Sequence, residues 1–294
     1  MNLNELRARI ENKTAKLAVI GQGYVGLPVA ALFANAGFDV LGVDLRRALV
    51  EKINAGINPI EGKEPGLAEL LQTVVVSGRL RATTDYNELN DRDVFIVAVE
   101  TPVDDNHIPH YNALRAALTS LASVMKQGAL VIVESTIAPR TMGDIVLPLL
   151  EEKSGKKVNE DFYLGNCPRL SDAGQTSQSL NTMSRVVGGM TPETSETMIA
   201  LYKNIVEADL DPADCITAEL VKTVNAYRDV QIAFANEVAL VAEAAGGDVW
   251  KVRELVNKSQ GGRCTCQRQR SAVASEGYCW LWRMARRKKE SNCV

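Results

Sequence analysis

KLAVIGQGYVGLPVAALFANAGFDVLGVD, residues 16–44, is the stretch that decides the fold of this chain. The apolar run 17–20 leads directly into the turn Gly-Gln-Gly-Tyr-Val-Gly, and residues 27–36 carry apolar side chains at helical spacing. A second apolar run, 38–43, ends at Asp44, about 20 residues after the glycines. This order predicts a strand, a tight turn, a helix and a second strand.

Each glycine of the turn has a separate predicted role. Gly21 permits the sharp turn, Gly23 lets a pyrophosphate approach the backbone, and Gly26 lets the helix pack closely on the strand. The pyrophosphate is expected at the helix N-terminus, where unpaired N–H groups and the helix dipole favour negative charge. Asp44 can accept hydrogen bonds from the two ribose hydroxyls, and its charge disfavours the 2′-phosphate of NADP. The pattern predicts bound NAD; the alternative is a turn that is merely tight.

The composition is that of an ordinary globular chain. Of the 294 residues, 46% are hydrophobic and 23% are charged, and the net charge of −3 does not favour a nucleic-acid partner. The length allows two domains. No apolar run approaches the length of a membrane span, and the first residues lack the apolar core of a signal peptide. We therefore expect a cytoplasmic protein without a membrane partner.

Histidine and cysteine residues do not form a metal-binding pattern. His107 and His110 lie in the predicted loop DDNHIPHY, with no further ligands at metal-binding spacing. Four of the six cysteines fall within residues 264–293, and no disulfide framework is apparent. The sequence therefore predicts no metal site.

Helical patterns and apolar runs alternate beyond the second strand. The predicted helices are a leading helix near 3–10 and then 46–56, 65–78 and 113–125. The predicted strands are 81–84, 94–99 and 129–133. The alternation predicts an α/β fold with a Rossmann-like, doubly wound parallel sheet, which binds ligands at the carboxyl ends of its strands. Thr101, Ser135 and Thr136 stand at those ends, although turn and cap chemistry alone would also explain them.

A long, mostly apolar central helix is predicted over residues 217–246. Lys222, Asn225, Asp229 and Asn236 follow one another at intervals of three, four and seven residues, which places them on one face. Buried polar groups cost free energy unless they are paired or used. The spacing leaves open whether this face is an active-site stripe or a solvated stripe.

Several motifs carry a resemblance to a known family. In chain order they are KLAVIGQGYVGLPVA, VAVETPVDDNHIP, VIVESTIAPRT, LNTMSRVVGG and AELVKTVNAYRDVQIAFANE. Across residues 16–259 they resemble the UDP-glucose/GDP-mannose dehydrogenase family, and most of all its branch that acts on UDP-N-acetylhexosamines.

The resemblance implies an oxidoreductase that uses two NAD molecules to oxidise the C6 alcohol of a UDP-amino-sugar to a carboxylate, a four-electron reaction. In the family, a cysteine thiolate traps the intermediate aldehyde, and water hydrolyses the resulting thioester. UDP-N-acetyl-D-mannosamine is the expected substrate, and UDP-N-acetylglucosamine and UDP-glucose are alternatives. The resemblance also implies a homodimer formed through the central helix.

Motif matching also implies the site residues. The NAD-binding positions are Gly21, Gly23, Tyr24, Val25, Gly26, Asp44, Thr101 and Thr136. The catalytic positions are Lys222 and Thr136, and an ammonium group at Lys222 suits the negative charge that develops on the reacting oxygen. The substrate-binding positions are Asn225, Arg228 and Arg169.

Three segments depart from the family pattern. Lys222 and Asn225 stand three residues apart instead of four, which turns one side chain by about 100° on a regular helix. The family's Cys-Pro-Glu-Arg-Val reads Cys-Pro-Arg-Leu-Ser over 167–171, without the glutamate that would position water. After Ser259, an Arg-, Cys- and Trp-rich segment replaces the family's nucleophilic cysteine motif and second Rossmann-like domain, which we therefore expect to be absent.

The predicted domains are an NAD-binding Rossmann-like domain over 1–200, a central helical dimerisation segment over 201–259 and an atypical tail over 260–294. We interpret the tail as disordered or as the product of a frameshift near Ser259, with a second, compensated frameshift across 169–179. A metal site at the tail cysteines or a nucleic-acid contact at the basic run 286–289 are alternatives. The alternative to an enzyme is an NAD-binding, dimerising fragment without turnover.

Overall fold

The computed structural model describes residues 1–60, 65–106, 108–169, 182–225 and 227–259. The chain divides into two compact units, Met1–Asn225 and Ala226–Val294. This boundary lies later than residue 200, because the segment just beyond that position adds a strand and a helix to the first unit. The functional assignment of the predicted domains stays a prediction.

One sheet forms the centre of the first unit. Its strands are β1 (Lys16–Ile20), β2 (Asp39–Val43), β3 (Leu80–Thr83), β4 (Val94–Val97), β5 (Ala129–Val133), β6 (Phe162–Asn166), β7 (Arg185–Gly189) and β8 (Leu210–Asp214). They lie in the order β3-β2-β1-β4-β5-β6-β7-β8, and all neighbours are parallel except β6 and β7. The first six follow the strand order of doubly wound dinucleotide-binding folds. The predicted fold class is confirmed, with an antiparallel step added between β6 and β7.

Helices cover both faces of this sheet. They are α1 (Leu3–Glu11), α2 (Gly26–Asn35), α3 (Arg47–Asn54), α4 (Leu67–Val76), α5 (Asn112–Val124), α6 (Leu147–Ser154), α7 (Pro192–Tyr202) and α8 (Cys215–Asn225). A 3₁₀ turn at Tyr86–Leu89 and a π-helical turn at Met142–Val146 complete the described secondary structure of the unit.

The core consists of two apolar layers, one on each face of the sheet. Alternate residues of β1 belong to different layers: Leu17 and Val19 pack in one, and Ala18 and Ile20 pack in the other. This follows from the two-residue period of a strand. Because both faces are covered, the central strands read as continuous apolar runs without a polar face.

Two helices form the described part of the second unit, α9 (Tyr227–Ala244) and α10 (Val249–Ser259). The predicted long helix is therefore present as α8 and α9, and Ala226 between them lies outside the described residues. Gly246 follows α9 with φ +73°, which confirms the predicted stop. Within the described ranges, no helix combines the length and apolar character needed to cross a bilayer.

Candidate functional site

The glycine turn joins β1 to α2 at the carboxyl edge of the sheet. Gly21 has φ +90°, and a Cβ there would lie 2.6 Å from the carbonyl oxygen of Ala98. A Cβ on Gly26 would lie 1.8 Å from the carbonyl oxygen of Gly21. At Gly23, an added Cβ would meet no described atom within 4 Å. The turn thus requires glycine at two positions for its own backbone and leaves open space at the third, where the pyrophosphate is predicted.

The start of α2 fits an anionic ligand. Its N-cap residue, Val25, provides no side-chain cap, and its first turn contains no acidic residue. The N–H groups and the dipole of a helix N-terminus favour a phosphate. Helix α2 can therefore hold the phosphate groups of a dinucleotide.

Asp44 lies just after β2, and its carboxylate is held close to the glycine turn. The backbone N–H groups of Gln22 and Arg46 donate to its oxygens, each at 3.0 Å. Nε and Nη2 of Arg46 donate to the same carboxylate at 2.9 and 3.0 Å. Burial raises the pKa of Asp44, but the hydrogen bonds from Arg46 and Gln22 outweigh it and hold that pKa below its ordinary value. The carboxylate is therefore charged at neutral pH.

A cleft of about 230 Å³ opens at the carboxyl ends of β1, β4 and β5. In a doubly wound sheet this is the switch point at which ligands bind. Six of the predicted site residues line the cleft: Tyr24, Val25, Thr101, Thr136, Arg169 and Lys222. The structure therefore brings residues that are far apart in sequence into one site.

Hydroxyl groups at the ends of β4 and β5 join the two strands. Thr101 Oγ1 donates to the carbonyl oxygen of Thr136 at 2.6 Å, and Ser135 Oγ donates to the carbonyl oxygen of Val99 at 2.7 Å. These hydrogen bonds are the structural role that turn and cap chemistry alone would give Thr101 and Ser135. The same bonds shape the wall of the cleft.

Lys222 lies on α8, partly buried, and Glu219 one turn earlier fixes that helix. Glu219 is fully buried, and its carboxylate accepts hydrogen bonds from the backbone N–H groups of Arg140 at 2.6 Å and Met142 at 2.8 Å. Burial raises the pKa of Glu219, and these hydrogen bonds oppose part of that rise. Glu219 was not among the residues predicted from the sequence, although its spacing places it on the same helix face as Lys222.

A buried polar cluster lies behind the cleft. Glu134 Oε1 accepts hydrogen bonds from Arg185 Nη1 at 3.0 Å and from the Tyr202 hydroxyl at 2.6 Å. The guanidinium carbon of Arg185 also lies 5.1 Å from the centre of the Tyr202 ring. Glu134 also lines the cleft. It was not among the predicted site residues, because a polar residue at the end of a strand has no distinctive sequence pattern.

The two described cysteines are poor nucleophiles. Burial raises the pKa of Cys167 to about 12 and that of Cys215 to about 12. Since the thiolate is the reactive form, both thiols are inert at neutral pH. Neither can serve as the thiolate that the family resemblance implies.

The residues predicted to bind the substrate do not all line the cleft. Arg169 is 8% exposed, and its Nη1 donates to the carbonyl oxygen of Tyr24 at 3.4 Å, so that it faces the glycine turn. Asn225 ends the first unit and does not line the cleft. Arg228 belongs to the second unit, and its side chain lies outside the described part of the structure. The roles of all three stay predictions.

The predicted loop histidines fall partly outside the described structure. His107 is among the residues that are not described. His110 Nε2 lies 3.3 Å from a carboxylate oxygen of Asp104 in the same loop. No group of three or more His, Cys, Asp or Glu residues in the described ranges could hold a metal ion.

The strand order, the glycine turn and the acidic residue after β2 define a Rossmann-type dinucleotide-binding protein. Residues 15–206 match the NAD binding domain of the UDP-glucose/GDP-mannose dehydrogenase family, and residues 216–281 match its central domain. The chain therefore belongs to the UDP-glucose/GDP-mannose dehydrogenase family, and its cofactor is NAD.

Individual relatives agree with this membership. The chain is 38% identical over 243 residues to the UDP-N-acetyl-D-mannosamine dehydrogenase of Pyrococcus horikoshii, an alignment that covers 82% of this chain and 57% of that protein. It is 39% identical over 251 residues to the enzyme of the same name from Escherichia coli K12, covering 83% and 59%. The chain thus spans a little under three fifths of the length of these two relatives.

Solved structures show the same fold. A UDP-D-ManNAc dehydrogenase from Pyrococcus horikoshii superposes with a TM-score of 0.77 at 33% identity, covering 94% of this chain and 68% of that chain. A ternary complex of GDP-mannose dehydrogenase from Pseudomonas aeruginosa superposes with a TM-score of 0.77 at 28% identity, covering 94% and 64%.

Proposed function

We propose that the protein oxidises the C6 alcohol of a UDP-N-acetylhexosamine with NAD, and that UDP-N-acetyl-D-mannosamine is the substrate. The observation that carries this proposal is the position of Lys222 in the same cleft as the glycine turn, Thr101 and Thr136. The names of the two relatives above support the choice of sugar. UDP-N-acetylglucosamine and UDP-glucose are the alternative substrates.

The chemistry needs a base and a stabilising cation at the reacting oxygen. Oxidation of the alcohol transfers a hydride from C6 to NAD and releases the hydroxyl proton. Lys222 can accept this proton as an amine and stabilise the oxyanion as an ammonium. Thr136 offers a hydroxyl in the same cleft. Oxidation of the aldehyde to the carboxylate then consumes water and a second NAD, giving four electrons in total.

A second candidate is an NAD-binding, dimerising protein without turnover. One observation favours it: in the described part of the chain, the cysteines are Cys167 and Cys215, and both are buried. The remaining four cysteines fall within residues 264–293, outside the described ranges. If none of them acts as the nucleophile, the second oxidation lacks its covalent intermediate.

NADH formation with UDP-N-acetylmannosamine, UDP-N-acetylglucosamine and UDP-glucose separates these candidates. The enzyme hypothesis expects two NADH per sugar oxidised. It also expects Lys222→Met to lower kcat by about 10²–10⁴-fold, while the affinity for NAD stays unchanged. The matched control is Lys203→Met, an exposed lysine at the end of α7. NAD binding without turnover on any of the three sugars would support the second candidate.

We also propose that the partner of this chain is a second copy, bound through the helices of the second unit. The support is the apolar surface of those helices, on which Phe234 is 70%, Val241 66% and Val230 61% exposed. Apolar patches of this kind mark association surfaces. The cytoplasmic location stays a prediction from the sequence.

A further inference from the structure

The carboxylate of Asp44 is fully engaged before any ribose binds. A carboxylate offers about four lone-pair sites, and four donors point at this one: the N–H groups of Gln22 and Arg46, and Nε and Nη2 of Arg46. The two backbone donors are fixed by the glycine turn and by the start of α3. A ribose diol can therefore bind Asp44 only by displacing the guanidinium of Arg46.

Arg46 is free to make this exchange. Its side chain is 64% exposed, whereas that of Asp44 is 9% exposed. As the N-cap residue of α3, Arg46 has an extended backbone, and its side chain makes no capping bond. The guanidinium can therefore move into solvent while the buried carboxylate stays in place.

A displaced guanidinium stays close to the ribose. Arg46 is tethered two residues from the carboxylate that is expected to hold the ribose hydroxyls. Guanidinium groups bind phosphate in a bidentate manner, and an arginine near this point of a Rossmann fold accommodates the 2′-phosphate of NADP. The chain therefore carries, two residues apart, a carboxylate that favours the ribose hydroxyls of NAD and a guanidinium that can bind a 2′-phosphate. The two groups pair with each other.

We propose that Arg46 forms a latent site for the 2′-phosphate of an NADP-type dinucleotide, which Asp44 closes by pairing with the guanidinium and repelling the phosphate. With Asp44 charged, the 2′-hydroxyl of NAD is accepted. Without that charge, the same guanidinium accepts the 2′-phosphate. The inference concerns the NAD-binding domain and is independent of the proposed sugar oxidation.

Calorimetric titration of the whole chain with NAD and NADP tests this inference. The proteins are wild type, Asp44→Asn, and Asp44→Asn combined with either Arg46→Met or Arg47→Met. Asparagine keeps an acceptor for the Gln22 N–H. Arg47 is a charge-matched control, because it is exposed and makes no hydrogen bond to Asp44 among the described residues.

Asp44→Asn should weaken NAD binding and strengthen NADP binding by about tenfold or more, the size of a charge-assisted contact. Arg46→Met should remove this gain, and Arg47→Met should retain it. Adenosine 2′,5′-bisphosphate should follow the NADP pattern, while 5′-AMP should not distinguish the two double variants. An NADP gain that survives Arg46→Met would overturn the inference, as would unchanged NADP affinity in Asp44→Asn.

The single variant Arg46→Met supplies a test that does not depend on changing Asp44. It removes the competitor of the ribose, so it should bind NAD more tightly than Arg47→Met, by at least about threefold, because an exposed ion pair has this strength and the carboxylate of this pair is nearly buried. Equal or weaker NAD binding by Arg46→Met relative to Arg47→Met would show that the guanidinium does not block the ribose site.

Discussion

Gly23 and Gly26 belong to one turn but are glycine for different reasons. At Gly26 the obstacle is the protein itself, because a Cβ would lie 1.8 Å from the carbonyl oxygen of Gly21. At Gly23 the protein leaves room, at the place where the sequence predicts the pyrophosphate. Gly26 therefore serves the fold, and we predict that Gly23 serves binding.

Substituting the two glycines separates these roles. Gly26→Ala should lower the free energy of unfolding by about 1–3 kcal/mol or more, as overpacking does. Gly23→Ala should change it by less than about 0.5 kcal/mol but weaken NAD binding, because the methyl group fills the space predicted for the pyrophosphate. Urea denaturation and NAD titration measure the two effects. A Gly23→Ala protein that binds NAD normally would contradict the predicted phosphate position.

The ionisation of Asp44 sets a pH range for cofactor binding. Its folded-state pKa is lowered, so the stabilisation from its hydrogen bonds is present above the unfolded-state pKa and is lost as the pH falls through the folded-state value. The affinity for NAD, which has no 2′-phosphate to titrate, should therefore be constant from about pH 8 to about pH 5, above the ordinary aspartate pKa. Titrations with NAD at several pH values measure this, and an affinity that falls below neutral pH in wild type but not in Asp44→Asn would show that the pKa of this carboxyl group is not lowered.

The buried thiols predict a limited reaction with thiol reagents. Six cysteines are present, and Cys167 and Cys215 are buried, so at most four can react quickly. Dithiobis(nitrobenzoate) should therefore modify no more than four cysteines in the native protein and all six after denaturation. Rapid modification of a fifth cysteine in the native state would contradict the burial of these two side chains.

A buried carboxylate joins helix α8 to the segment next to the cleft. Glu219 accepts two backbone N–H groups at the start of the π-helical turn that precedes α6. Its replacement leaves both donors without this acceptor inside the protein. The position of Lys222 is thus linked to the loop that follows Thr136.

Glu219→Ala should therefore lower the free energy of unfolding by about 1–3 kcal/mol, the cost of an unsatisfied buried donor. If the protein turns over UDP-sugars, the variant should also lower kcat through misplacement of Lys222. Glu152→Ala, at an exposed glutamate of α6, is the control and should leave the urea midpoint unchanged. Equal midpoints for the two variants would show that this anchor does not stabilise the native state.

The elements predicted from sequence are those with strong local patterns. The strands β1, β2 and β5 are apolar runs and were predicted closely, whereas no prediction covered β6, β7 or β8. Strand β8 has the sequence LDPAD and is mostly exposed, so it lacks an apolar period. Strand β7 ends in two glycines, and a Cβ on Gly189 would lie 2.5 Å from the backbone nitrogen of Ser195. Such close packing is a property of the folded structure, and no local sequence pattern indicates it.

The cleft residues were predictable for a related reason. Tyr24, Thr101 and Thr136 follow strands, and parallel strands end at one edge of the sheet. The roles of Arg46, Glu134 and Glu219 depend on pairing and burial, which spacing does not reveal. The sequence thus predicted residues that line the cleft better than the buried groups behind them.

Association is the prediction that belongs to the whole molecule. The apolar side chains of the second unit should drive the chain into dimers or larger assemblies, which light scattering coupled to gel filtration measures. Phe234→Asp combined with Val241→Asp should shift the protein to monomers. Val76→Asp, at an 81% exposed residue of the first unit, is the control and should leave the mass unchanged. A monodisperse wild-type monomer would rule out the proposed homodimer.

The antiparallel step between β6 and β7 lets two helices reach the cleft with opposite chain directions. Because β7 and β8 run against the first six strands, α8 runs toward the carboxyl edge of those strands and carries Lys222 to the cleft, where α2 presents its first turn. The partial positive charge at the start of α2 favours phosphate, and the ammonium group of Lys222 arrives from the opposite direction. A reversal of chain direction within the sheet thereby places the predicted phosphate-binding group and the predicted catalytic cation on separate sides of one small cavity.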